Sequence, residues 1–411
     1  MASDKGENSE DYELYTEKVV LNPKATYKRV IKGLKIGAVF VVLAAFVAIF
    51  AFVIWPRIKA KIIADNVEII YIEKDDYEDY VDDQYSEDDM DIEDDYETAF
   101  YNLRLMVDSC LSSVVLIDYE DTDIVSELEN SSSDKMPGVI VGYINSEYMV
   151  LTSSDVYTES EGNNGQLIAE FEDSSEVKLT HVNTQKDIGI SIYKFSSSDI
   201  SSDTQDTISV ANLGNSYAAG QGDVMILAGK LYGITGAVNY CTITGISTKY
   251  CTDNGYEELE TNLLKDAKDY GFLFNSSGNL VGISTISSDT TINAIGISDL
   301  KYIIESMINN HGILYCGITG QNVTDELATK YSLPAGIYIS SVELNSPAYA
   351  AGLQAGDVII EVDNESVLTI QEFNEKLYQK SAGDTITITV KRVGKDSYQK
   401  LYFDVTVKLV S

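Results

Sequence analysis

Between residues 138 and 286 the chain breaks into nine short apolar or alternating runs: GVIVGYI, YMVLTS, QLIAEF, EVKLTHV, GISIYKF, GDVMILAG, CTITGIST, YGFLFN and NLVGISTI. Gly, Asn, Asp and Ser separate them. Closely spaced runs of this kind with turn residues between them predict an all-β barrel or sandwich pair, because no run is long enough for a helix of several turns. MVDSCLSSVVLI, ahead of them, reads as a short helix leading into a strand. ISDLKYIIESMINNHG, behind them, has apolar residues at helical spacing and an Asn-His-Gly stop.

A second module starts near Ile313. VTDELATKYSLP reads as a helix ending before Pro334. SPAYAAGLQAGDVIIEVDN reads as a Pro-started helical turn, a Gly stop and a strand. Thr369 and Glu372 have capping-box spacing, and Ile370, Phe373 and Leu377 share one helix face behind them. DTITITVKR and LYFDVTVKLV alternate as half-buried strands.

The N-terminal quarter follows different rules. Ile36 to Trp55 is free of charge and about 20 residues long, the length that crosses a hydrocarbon core. Lys18, Lys24, Lys28, Arg29, Lys32 and Lys35 precede it, against Arg57, Lys59 and Lys61 after it. The bias predicts a single-pass membrane helix with a cytoplasmic N-terminus and extracytoplasmic domains. Glu73 to Glu97 holds 15 carboxylates and one lysine, a block expected to stay extended and solvated as a spacer. The formal net charge of −36 excludes a nucleic-acid partner, which needs a basic footprint. The expected organisation is a cytoplasmic tail over 1–35, the membrane helix over 36–55, an acidic disordered linker over 56–99, a β domain over 100–308 and the second module over 313–411.

Cys110, Cys241, Cys251 and Cys316 lack metal-ligand spacing, so no structural zinc or other cofactor is expected. A Cys241–Cys251 disulfide across a strand pair and two thiols in strands are both left open. His181 reads as an ordinary strand histidine, and His311 as exposed or capping a helix.

The order of these parts resembles the HtrA/DegP family: a membrane anchor, a trypsin-like double β-barrel and a C-terminal PDZ domain. LYCGI, SPAYAAGLQAGDVIIEVDN and the helix after Thr369 carry the PDZ resemblance. SSVVLI, GVIVGYINSEYMVLTSSDV, KDIGISIYKF, GDVMILAG and YGFLFNSSGNLVGIST carry the barrel resemblance. It implies a Ser-His-Asp protease, but the motifs depart from that pattern. Where the family has LTNNHV this chain has LTSSDV, with Asp155 at the base position. The family's DLAVLK is similar to DIGISIYK, which keeps the orienting acid as Asp187. GNSGGPLFN corresponds to AKDYGFLFN, which puts Asp269 at the nucleophile position between Lys268 and Tyr270. No serine lies between Thr252 and Asn275. Serine attack needs a hydroxyl and a base to deprotonate it, and loss of either costs orders of magnitude in rate.

Two readings of the acids stay open: decay of the triad to solvated carboxylates, or a cluster of Asp155, Asp187 and Asp269 that shares a proton or holds a divalent cation. The PDZ resemblance implies that Tyr315, Cys316, Gly317 and Ile318 form the loop that holds a peptide's C-terminal carboxylate, and that Ile318, Phe373 and Leu377 either line its apolar pocket or belong to the core. The expected function is a membrane-anchored pseudoprotease that binds protein or peptide C-termini in cell-envelope quality control or regulation. The alternatives are an HtrA-like endopeptidase or acid-dependent hydrolase, and a scaffold whose PDZ domain is idle. The family's trimers form through N-terminal aromatics; Phe100 and Tyr101 lie in that region, and the oligomeric state is left open.

Overall fold

The computed structural model describes residues 69–75, 92–119, 135–157, 166–266, 269–284, 290–395 and 397–409. All belong to one compact unit, Ile69–Ser411. The expected membrane helix at 36–55 lies outside the described residues. Among the described residues no helix is long and apolar enough to cross a membrane.

Helix α1 (Ile92–Leu111) leads into a seven-stranded antiparallel sheet. Its strands are β1 (Val114–Tyr119), β2 (Met136–Ile144), β3 (Glu147–Ser153), β4 (Leu167–Glu170), β5 (Glu176–Lys178), β6 (Thr180–Gln185) and β7 (Ile190–Ser196), in the spatial order β5-β4-β1-β2-β3-β7-β6. Helix α2 (Ser202–Thr207), capped by Ser201, crosses to a closed barrel. The barrel comprises β8 (Val224–Leu231), β9 (Ile234–Cys251), β10 (Asn254–Leu264), β11 (Tyr270–Phe274), β12 (Leu280–Ser284) and β13 (Thr291–Gly296). Helix α3 (Ile297–Ile308) follows, and its apolar face completes a core with Val139, Leu151, Ile226 and Phe272 from both sheets.

Gly229 permits the closest approach within the barrel. A Cβ there would sit 2.4 Å from the carbonyl oxygen of Tyr270 on β11. The run EVKLTHV is two strands rather than one: Leu179 breaks it, burying its side chain and donating its N–H to the Leu167 carbonyl at 2.8 Å.

The second module holds β14 (Leu314–Tyr315), β15 (Ile318–Asn322), α4 (Asp325–Tyr331), β16 (Ile337–Val342), α5 (Pro347–Ala351), β17 (Val358–Val362), β18 (Glu365–Ser366), α6 (Ile370–Tyr378), β19 (Thr385–Val393), β20 (Tyr398–Thr406) and β21 (Lys408–Leu409). The local signals operate as the sequence indicates. Ser346 caps α5 and Gly352 ends it in the left-handed conformation. The Thr369 hydroxyl accepts the Glu372 N–H at 3.2 Å, and the Glu372 carboxylate accepts the Leu368 N–H at 2.6 Å.

Of the 56–99 segment the structure describes residues 69–75 and 92–99. The Ile70 N–H donates to Asn309 Oδ1 at 3.0 Å, the Ile72 N–H donates to Glu305 Oε2 at 2.7 Å, and Asp75 pairs with Lys301 at 2.8 Å. Residues 69–75 therefore lie along α3, and α1 already begins at Ile92. The Cys241–Cys251 bridge is excluded because both residues lie on β9, roughly 33 Å apart at the rise of an extended strand. All four cysteines are free.

Candidate functional site

The segment LYCGI runs from β14 into β15 through a tight loop. Gly317 has φ +89°, and a Cβ there would lie 2.2 Å from the Cβ of Ser346, so both the backbone angle and the space require glycine. The loop is braced from behind: the Cys316 carbonyl accepts the Ala348 N–H at 2.9 Å, and the Gly317 carbonyl accepts the Glu343 N–H at 2.9 Å. Its three forward N–H groups converge on one carboxylate, that of Asp253. Cys316 donates to Oδ2 at 2.7 Å, Gly317 to Oδ1 at 2.9 Å and Oδ2 at 2.6 Å, and Ile318 to Oδ1 at 2.8 Å. Burial pushes the Asp253 carboxyl up to about 6, against these N–H donors, which pull it down. The Tyr315 hydroxyl donates to Glu343, at the edge of the loop. Ile318, Phe373 and Leu377 are fully buried in the core of this module.

The cleft side of the molecule differs. Asp155 is exposed on a helical turn after β3, and its N–H donates to Ser153 Oγ at 3.1 Å. Asp187 is exposed in the turn between β6 and β7. Asp269 is buried directly before β11; its Oδ2 accepts the Asp266 N–H at 2.8 Å, and its Oδ1 has no hydrogen-bond partner among the described residues. The buried Tyr270 hydroxyl also has none, and burial with the nearby Asp155 carboxylate raises its pKa and keeps it un-ionised. Among the described residues no group of three or more His, Cys, Asp or Glu is placed to hold a metal ion. The three aspartates therefore do not gather into a cation cage. His181 is exposed on β6, hydrogen-bonded to Thr184 Oγ1 at 2.8 Å, with its ring 4.4 Å from that of Tyr157. His311 is exposed just past α3. Tyr101 is exposed on α1. Lys268 lies outside the described residues.

Comparison with known proteins agrees with this layout. A family model described as PDZ domain matches residues 307–402. The serine protease Do-like HtrA of Lactobacillus helveticus is 27% identical over 225 residues, covering 49% of this chain and 54% of its own. The serine endoprotease DegS of Haemophilus influenzae is 27% identical over 197 residues, covering 46% of this chain and 58% of its own. The solved structure of the HtrA-type protease AlgW with tripeptide superimposes with a TM-score of 0.55 at 22% identity, over 75% of this chain and 97% of AlgW. The chain is HtrA-like. It combines a mostly β, trypsin-like protease fold with a PDZ domain, and spans about half the length of these two relatives, 54% and 58%.

At residues 316–318 of the HtrA-like chain the structure has three N–H donors converging on the Asp253 side chain. The sequence did not point to Asp253. TDNG at 252–255 reads as an ordinary hairpin turn, and the contact spans more than 60 residues of chain, 63 to 65.

Proposed function

We propose that the chain is a membrane-anchored HtrA-like protein without proteolytic activity, whose PDZ domain binds the carboxyl termini of peptides or proteins in the quality control or regulation of the cell envelope. One observation carries the binding half: the N–H groups of Cys316, Gly317 and Ile318 point together at a single carboxylate. Main-chain donors arranged this way capture a chain terminus while β15 offers an edge for strand addition. AlgW, whose fold is similar, has been solved with a tripeptide and with a decapeptide. The non-proteolytic half rests on chemistry. Carboxylates stand at Asp155 and Asp269, so the site has neither the hydroxyl that attacks nor the imidazole that deprotonates it. Membrane anchoring rests on the uncharged run from Ile36 to Trp55 and the cationic excess before it.

A second reading has one observation in its favour. The carboxylate loop is filled by Asp253, as it would be if the PDZ domain served only as a brace in a scaffold.

The test of the enzymatic question is hydrolysis of unfolded casein by the full chain and its Asp269→Ala variant from about pH 4 to 8, with and without Ca²⁺. No cleavage above background is expected from either. Cleavage that disappears in Asp269→Ala would make the buried carboxylate an active group and sink the non-proteolytic reading.

A further inference from the structure

The β9–β10 hairpin ends in a two-residue tip, Thr252 and Asp253, between the paired residues Cys251 and Asn254. Its contacts with the PDZ domain follow the pattern of a bound peptide end. Thr252 forms an antiparallel bridge with Thr319 on β15, the geometry of an added strand. The Asp253 N–H donates to the Ile318 carbonyl at 2.6 Å, while its side-chain carboxylate takes the loop N–H groups. A left-handed backbone at Asp253, φ 54°, turns the side chain to where a main-chain carboxylate would otherwise stand. Asn254 then faces α6, where the Asn374 amide donates to it. Gly255 packs so closely on Ile370 that a Cβ would lie 2.4 Å from it. Thr252 Oγ1 also donates to Glu343 at 2.7 Å, beside the Tyr315 hydroxyl.

We infer that the hairpin tip is a built-in occupant of the peptide groove, with Asp253 holding the place of a chain-terminal carboxylate, and that a partner enters only by displacing it. This rests on the C-terminal binding reading above. The occupant is an imperfect one, which suits displacement. Among the described residues Asn254 Nδ2, Asn374 Oδ1 and Gln371 Oε1 are buried without hydrogen-bond partners, and each such atom weakens the closed arrangement. A peptide bearing a true terminal carboxylate keeps the three N–H bonds without burying those atoms. Its entry displaces the tip of a strand pair that belongs to the closed barrel, so occupancy of the groove is linked to the barrel.

Asp253→Asn is the informative change. Asparagine tolerates the left-handed backbone as aspartate does, but its amide group offers donors where the loop needs an acceptor. Amide hydrogen exchange of the full chain reads the tip directly: Cys316, Gly317 and Ile318 should exchange about tenfold faster or more in the variant. The amides of β11 report intact folding and should not change. The second measurement uses a labelled peptide, Ile-Ser-Thr-Lys-Tyr-Ser-Thr-Val, copying residues 246–252 with serine for Cys251 and a terminal valine. It should bind Asp253→Asn about tenfold more tightly than the unaltered chain, and its C-terminal amide should bind neither. Unchanged exchange, or equal peptide affinity for both chains, would overturn the inference while leaving C-terminal binding in place. Faster exchange with no binding of the free-carboxylate peptide would retire the C-terminal binding reading and make the tip a permanent brace.

Discussion

The cleft and the groove of this molecule use opposite materials. The cleft of a trypsin-like fold works through side chains, and at Asp155, Asp187 and Asp269 this chain offers carboxylates, two exposed and one buried. The groove works through main-chain N–H groups, which every residue except proline supplies. A binding site built from backbone needs only the right conformation, held here by Gly317 and by the braces from Glu343 and Ala348. A catalytic site needs particular atoms at particular positions. A backbone site of this kind tolerates side-chain change that a side-chain site does not.

The largest effect that sharpens this contrast is expected at Gly317. Gly317→Val forces a branched side chain onto φ +89° and into Ser346, and should destabilise the PDZ module by about 2–3 kcal/mol. Asp269→Ala in the cleft should change stability by less than about 1 kcal/mol, because one accepted hydrogen bond is lost together with one buried oxygen that has no partner. Chemical denaturation of both variants measures the difference. Equal losses would break the comparison.

Acidity gives the next effect. Burial raises Asp253 and Asp299 to about 6, and burial with the Asp299 carboxylate raises Glu257 to about 7. Each carboxyl holds its proton more tightly in the folded chain than in the unfolded one. Stability is therefore fully present below about pH 4 and declines as pH rises to about 7. Thermal melts should show a higher Tm at pH 5 than at pH 8, and Asp299→Asn should flatten the slope. A Tm that rises over this range would contradict the burial of these groups.

Smaller effects lie on the rim of the groove. Thr369→Ala removes the cap of α6 and should cost about 1 kcal/mol in denaturant melts. Glu343→Gln weakens the link between Tyr315 and Thr252 and should speed exchange at Ile318 by about twofold, well below the effect of Asp253→Asn. An effect as large as that of Asp253→Asn would shift the hold on the tip from the carboxylate loop to its edge.

What the sequence made legible was local. The Ser346-Pro347 start, the Gly352 stop and the Thr369 cap are set by neighbours within a few residues, and the structure contains each. Non-local contacts were not legible. Asp253 meets its donors across 63 to 65 residues of chain, and no periodicity encodes such a meeting. Cys241 and Cys251 looked bridgeable because strands are usually five or six residues long, whereas β9 runs for 18. Ile70 and Ile72, just ahead of the acidic block, were illegible for the same reason as Asp253: they pack onto the core beside α3, and Ile70 meets Asn309 across 239 residues of chain.

That segment also has a mechanical meaning. Its residues meet α3 in reverse order, Ile70 at Asn309, Ile72 at Glu305 and Asp75 at Lys301. A force applied at Ile69 and directed away from the helix loads the Asn309 contact first and the others in turn. The attachment then peels like a zipper instead of shearing as a block.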